Sequence, residues 1–120
     1  MTASPDTAFK LIDSAEWTAA LEYGRYDGSP IDRADGYIHM SSADQLAETA
    51  RRHYAGRSGL VLLAVKTDPL GEALVWEPSR GGDLFPHLYG SLPINAVDGV
   101  RALGVSDEGI MRFDDGGVAP

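Results

Sequence analysis

The run Tyr37-Ile38-His39-Met40-Ser41-Ser42 sets an imidazole and two hydroxyls just ahead of a helix start. Alternate side chains of a strand share a face, so Tyr37, His39 and Ser41 point together while Ile38 and Met40 point to a core. Ser42 and Gln45 have the spacing of a capping box, which opens a helix at Ala43. The first amides of that helix lack intrahelical partners and carry partial positive charge, which suits a phosphate or carboxylate. This stretch therefore predicts a small-anion site. In it His39 does acid/base work or orients the ligand, and Ser41 and Ser42 bind it. The competing account is a strand histidine that is merely hydrogen-bonded into the structure.

A second constellation runs from Trp76-Glu77-Pro78 to Phe85-Pro86-His87-Leu88-Tyr89-Gly90. Glu77 ends an apolar strand beside tryptophan, where desolvation is expected to raise its pKa and make it a proton donor or acceptor. The competing account is a strand-end carboxylate that faces water or pairs with Arg80. In an extended segment His87 shares a face with Phe85 and Tyr89, and such a face suits a planar ring such as a base or nicotinamide. It equally suits ordinary packing.

Other chemistries find little support. The chain has no cysteine, which excludes thiol catalysis, disulfides and thiolate metal sites. No histidine pair has the i,i+4 spacing of a helical zinc site, so no metal is expected. There is no Gly-x-Ser-x-Gly elbow and no glycine-rich phosphate loop of the Walker or dinucleotide type. A formal net charge of −8 opposes non-specific attraction to nucleic acid or anionic lipid. Arg51, Arg52, His53 and Arg57 form a local basic cluster, read as complementing the C-terminal dipole of a helix. No apolar run nears the roughly 20 residues of a membrane span. The first residues lack a basic-then-apolar leader pattern, so a cytoplasmic location is expected.

The elements that must position these residues follow from patterning. At 120 residues, 43% hydrophobic and 23% charged, the chain fits one globular domain. Its core is expected over about 8–113, with flexible segments at 1–7 and 114–120. Ala8–Ile12 reads as a strand. Asp13–Tyr23 reads as a helix, capped by Asp13 with Glu16 and stopped by Gly24. Arg25–Gly36 carries turn signals and is expected to be a loop. The strand at Tyr37–Ser41 leads into a helix from Ala43 to about Tyr54. Leu60–Val65 is nearly all apolar, as in a central strand buried on both faces. Ala73–Glu77, Phe85–Tyr89, Ala96–Leu103 and Ile110–Phe113 are expected to be extended. Two early helices followed by strands predict an α+β fold with a mixed or antiparallel sheet.

Asp35-Gly36-Tyr37-Ile38-His39-Met40-Ser41-Ser42-Ala43-Asp44-Gln45, Trp76-Glu77-Pro78 and Phe85-Pro86-His87-Leu88-Tyr89-Gly90 together resemble a family of small bacterial proteins of unknown function. Its signature is Gly-aromatic-Ile-His-x-Ser, then Trp-Glu-Pro, then Phe-Pro-His-x-Tyr-Gly. The resemblance covers residues 8–104 approximately. It implies an ADP-ribosyltransferase-like fold: a split, strongly bent α+β sheet with a cleft between its halves. That superfamily includes transferases using NAD and an RNA 2′-phosphotransferase, so NAD is the cofactor the resemblance raises. ADP-ribosyltransferases use an arginine or histidine on the first core strand, a Ser-Thr-Ser or tyrosine element next, and a glutamate on a later strand. Lys10 stands in the first place, and Ser41-Ser42 match the second, just after His39. No Glu-x-Glu or Gln-x-Glu occurs near residues 94–100, which leaves Glu77 and His87 as candidates by their place in the fold.

Three functions are compatible with these residues. The first is a transferase-like enzyme acting on a nucleotide or phosphorylated small molecule. Its catalytic residues would be His39, Glu77 and His87, and its ligand-binding residues Lys10, Ser41, Ser42 and Tyr89. The second is a non-catalytic module for a small anionic or nucleotide-like ligand. The third is a protein-interaction domain with an aromatic face.

Overall fold

The computed structural model of the chain describes residues 6–120, apart from the side chain of Arg80. Chain order runs β1 (Thr7–Asp13), α1 (Ser14–Tyr23), β2 (Arg25–Tyr26), α2 (Pro30–Asp35), β3 (Ile38–His39) and α3 (Ala43–His53). It continues with β4 (Leu60–Lys66), β5 (Leu74–Pro78), β6 (Leu84–Leu88), β7 (Leu92–Pro93), β8 (Val97–Val105) and β9 (Met111–Phe113). Short 3-10 turns at Asp68–Ala73, Arg80–Gly82 and Ile94–Ala96 join the later strands. The fold is α+β, and its strand pairs are antiparallel.

The strands form sheets of order β1-β4-β8-β9, β3-β6-β5 and β2-β7. In the first, the apolar run of β4 is central, and its alternate residues feed two separate cores. Val61, Leu63 and Val65 join Ala8, Ile12, Trp17, Ile38 and Leu88 on one face. Leu60 and Leu62 join Phe9, Leu11, Leu46 and Ala50 on the other, beneath α3. Between the first two sheets lies one isolated bridge. Phe9 and Ser41 exchange both backbone hydrogen bonds, at 2.8 and 2.9 Å. Beyond that bridge, among the described residues, β1 pairs only with β4, and β3 only with β6. The two sheets are thus joined at one point and split beside it.

Several expectations need correction. Residues 25–36 are not all loop: Ser29 caps α2 in a reciprocal capping box with Asp32, Pro30 takes the first helical turn, and Gly36 closes it in a left-handed conformation. The first half of the chain therefore holds three α-helices, not two. Asp13 precedes α1 without capping it by its side chain, because its carboxylate meets the Arg57 guanidinium at 2.6 Å. The flexible start expected for 1–7 falls outside the described residues at 1–5. At 6–7, Thr7 belongs to β1 and the Asp6 carbonyl accepts from the Thr67 amide. The acidic tail 114–120 is tied to β8 by Arg101, which donates to the Asp115 carboxylate and the Val118 carbonyl. No helix among the described residues is long and apolar enough to cross a membrane.

Leu63 is fully buried while Val100, its partner in β8, is 44% exposed. Chemical denaturation of Leu63→Ala is expected to show a loss of about 2–5 kcal/mol. Val100→Ala should change stability by no more than about 0.5 kcal/mol.

Candidate functional site

The β3-β6-β5 sheet presents one face rich in groups that can do chemistry. Ile38 and Met40 turn into the core, so Tyr37 and His39 turn the other way, as the period of two dictates. His39 lies directly across from His87 in the β3–β6 register, and His87 lies across from Val75 in β5. The imidazole centroids are 5.8 Å apart, edge to face. Tyr37 stacks on His87 at 4.2 Å and 26°, and its ring also meets His39 and Tyr89. The capping box holds this segment in place: the Ser42 amide donates to Gln45 Oε1 at 2.9 Å, and Gln45 Nε2 reaches the Leu84 carbonyl.

Each imidazole is oriented by a carboxylate at Nδ1. His39 Nδ1 lies 2.6 Å from Oδ1 of Asp32, a residue of α2 whose side chain is 2% exposed. Asp32 also accepts from the His39 amide at 3.1 Å and the Ser29 amide at 2.9 Å, and it pairs with Lys10 Nζ at 3.0 Å. Burial pushes the Asp32 carboxyl up, but the His39 hydrogen bond, the Lys10 charge and the two amides outweigh it. They hold the group well below the usual carboxylate range. Burial likewise pulls the Lys10 ammonium down, against the attraction of Asp32. The glycine at 28 has φ +104°, and a Cβ there would sit 2.8 Å from the Asp32 Cβ, so only glycine lets Asp32 approach this closely.

His87 Nδ1 lies 2.8 Å from Glu77 Oε1, which also accepts from the Tyr89 hydroxyl at 2.7 Å. These bonds, Tyr89 first and His87 second, lower the Glu77 pKa. That overturns the expected rise by desolvation: Trp76 turns to the opposite face, and hydrogen bonds to the charged form win. Glu77 is thus a fixed carboxylate that orients His87. The same bond pushes the Tyr89 hydroxyl up to about 12. The alternative pairing of Glu77 with Arg80 lies outside the described side chains.

A hollow of about 550 Å³ opens beside the split between β1 and β3. Lys10, His39, Ser41 and His87 line it, together with Asp32 and Asp35 of α2 and Leu46, Thr49, Arg52 and His53 of α3. Glu77 and Tyr89 stand behind His87 and do not line it. Ser42 lines a separate hollow at the start of α3, with Asp44, Glu48 and Asp83. Arg52 lines that hollow too, and the Ser42 amide is already bonded to Gln45. Ser41 Oγ faces Thr49 Oγ1 at 2.9 Å. Among the described residues no group of three or more His, Asp or Glu is placed to hold a metal ion.

Asp32, Asp35 and Thr49 are site residues that reading the sequence missed, whereas the strand alternation places Tyr37 on the His39 face without a role. Ser29-Pro30-x-Asp32 is itself a capping-box pattern with proline at the first helical position, and it signals α2. Nothing local to Asp32 announces that its carboxylate is buried against two other elements.

Residues 11–100 match the family described as "Protein of unknown function (DUF952)", and the chain belongs to that family. It is similar to the crystal structure of protein CC0527 from Caulobacter crescentus, with 45% identity and a TM-score of 0.84. That match covers 88% of this chain and 93% of that one. The solution NMR structure of CC0527 is 46% identical with a TM-score of 0.77, covering 88% and 90%. No curated protein matches the chain.

Asp32→Asn leaves Lys10 without its buried counter-charge and should destabilise the fold at neutral pH by about 3–5 kcal/mol. Because folding depresses the Asp32 pKa, its stabilisation is present above the ordinary value of 3.8 and is lost as pH falls through the folded value. Denaturation across pH 2–7 should therefore show a shallower acid slope in Asp32→Asn than in the wild type.

Proposed function

We propose that this member of the DUF952 family is a single-domain, transferase-like enzyme with an ADP-ribosyltransferase-like split sheet, and that it acts on a nucleotide or phosphorylated small molecule. One observation carries this reading: Lys10, His39, Ser41 and His87 surround one hollow, and each imidazole has its Nδ1 held by a carboxylate. In His87 this sets the tautomer and ring plane and leaves Nε2 as the nitrogen for a substrate proton. Phe85 and His87 on the wall of the hollow suit a planar ring. The exposed carboxylate of Asp35 at the same end suits sugar hydroxyls, which donate to it. NAD fits the hollow in these two respects, ring and ribose. When bound, it would supply a transferable ADP-ribosyl group.

A second reading has its own support. His39 Nε2 lies 2.9 Å from Asp35 Oδ2, so both ring nitrogens face carboxylates. A histidine engaged on both sides is a fixed donor, which favours a binding module without turnover.

Calorimetric titration with NAD, ADP-ribose and a 2′-phosphorylated nucleotide, followed by product analysis, separates the two. The enzyme reading expects a ligand that binds and is consumed, with turnover reduced about 10²–10⁴-fold in His87→Ala. Binding lost in His39→Ala with no product from any compound selects the binding module. Absence of binding by all three contradicts both.

A further inference from the structure

The hollow is electrostatically two-ended, and its chemistry divides along α3. Leu46, Thr49 and His53 follow one another at helical spacing along the wall, with Arg52 beside them. From Leu46 to His53 the helix rises roughly 10 Å. At the α2 end, Asp32 and Asp35 surround Lys10 and His39, so cationic groups there are already matched by carboxylates. The end of α3 and the turn after it supply Arg52, His53, Tyr54 and Arg57 to the same hollow.

The guanidiniums at that end keep binding capacity. Arg52 uses Nε on Glu48, and Arg57 uses one terminal nitrogen on Asp13. A guanidinium has five N–H donors, so each retains several. Glu48 is moreover shared, since Arg51 holds it through two nitrogens at 2.8 and 2.7 Å. Arg51, which does not line the hollow, takes up much of the Glu48 charge, so the Arg52 charge is only partly matched. Arg57 also lies over the Tyr54 ring at 5.1 Å, which steadies it at the rim.

We infer that the α3 C-terminal end of the hollow, built on Arg52 and Arg57, is a subsite for the phosphate or pyrophosphate of an elongated ligand whose hydroxyl-bearing end meets His39 and His87. The inference rests on the proposed function for the His39–His87 end only. An anion bound by guanidiniums at the rim is a recognition contact and takes no part in bond making. It moves the anion-binding role from the start of α3 to its far end.

Two experiments test it. In the first, the isotope-labelled chain is titrated with inorganic pyrophosphate and amide shifts are mapped. Shifts should gather at 52–57, vanish in Arg52→Gln/Arg57→Gln and persist in Arg51→Gln, which loses charge outside the hollow. Shifts elsewhere, or shifts unaffected by the double variant, overturn the subsite. In the second, the double variant should bind ADP-ribose at least about tenfold more weakly than the wild type, with adenosine affinity unchanged. Equal ADP-ribose affinity in both proteins overturns the subsite and leaves the histidine site standing. Pyrophosphate binding at 52–57 without binding of ADP-ribose or adenosine supports the subsite and counts against the functional reading.

Discussion

The buried carboxylate of Asp32 is the interaction on which the site depends. It connects three elements: Lys10 from β1, His39 from β3 and the capping amide of Ser29 before α2. Among the described residues the two sheets touch through backbone only at Phe9 and Ser41, so beside that bridge some other interaction must hold them at a fixed separation. An unpaired carboxylate or ammonium at this depth would cost several kcal/mol. Paired, hydrogen-bonded and close-packed against Gly28, Asp32 has one low-energy position. The edges of β1 and β3 are thereby kept apart without collapsing, and the hollow follows from that separation.

The same carboxylate decides what the hollow can do. It fixes the His39 ring and, with Asp35, gives that end negative character. The second imidazole is built differently: His87 lies under Tyr37 and is held from behind by Glu77, which Tyr89 also holds. Two oriented imidazoles on neighbouring strands, one more engaged than the other, make an asymmetric pair. The family assignment and the likeness to CC0527 fix the fold this pair sits in, and the chemistry must be argued from the pair itself.

Local pattern made much of this legible. The alternation at 37–41 placed Ile38 and Met40 inward and His39 outward, the capping box set the start of α3, and the apolar run at 60–65 marked the central strand. Lys10, His39, Ser41 and His87 line one hollow, whereas Glu77, expected beside them, does not. What failed were inferences in which a distant partner decides the outcome. Asp13 has the local spacing of a cap but turns to Arg57, 44 residues away. Glu77 has the neighbours for a raised pKa, yet Tyr89 and His87 lower it. Asp32 lies in a segment expected to be a loop, because the burial that defines it comes from β1 and β3.

Lys10 and His39 stand on different strands and share Asp32, so their energetic coupling reports directly on the bracing role of that carboxylate. A double-mutant cycle of unfolding free energies with Lys10→Met, His39→Ala and the combined variant measures it. Bracing through Asp32 predicts a coupling of at least about 1 kcal/mol. Additivity of the two substitutions within about 0.3 kcal/mol would contradict it.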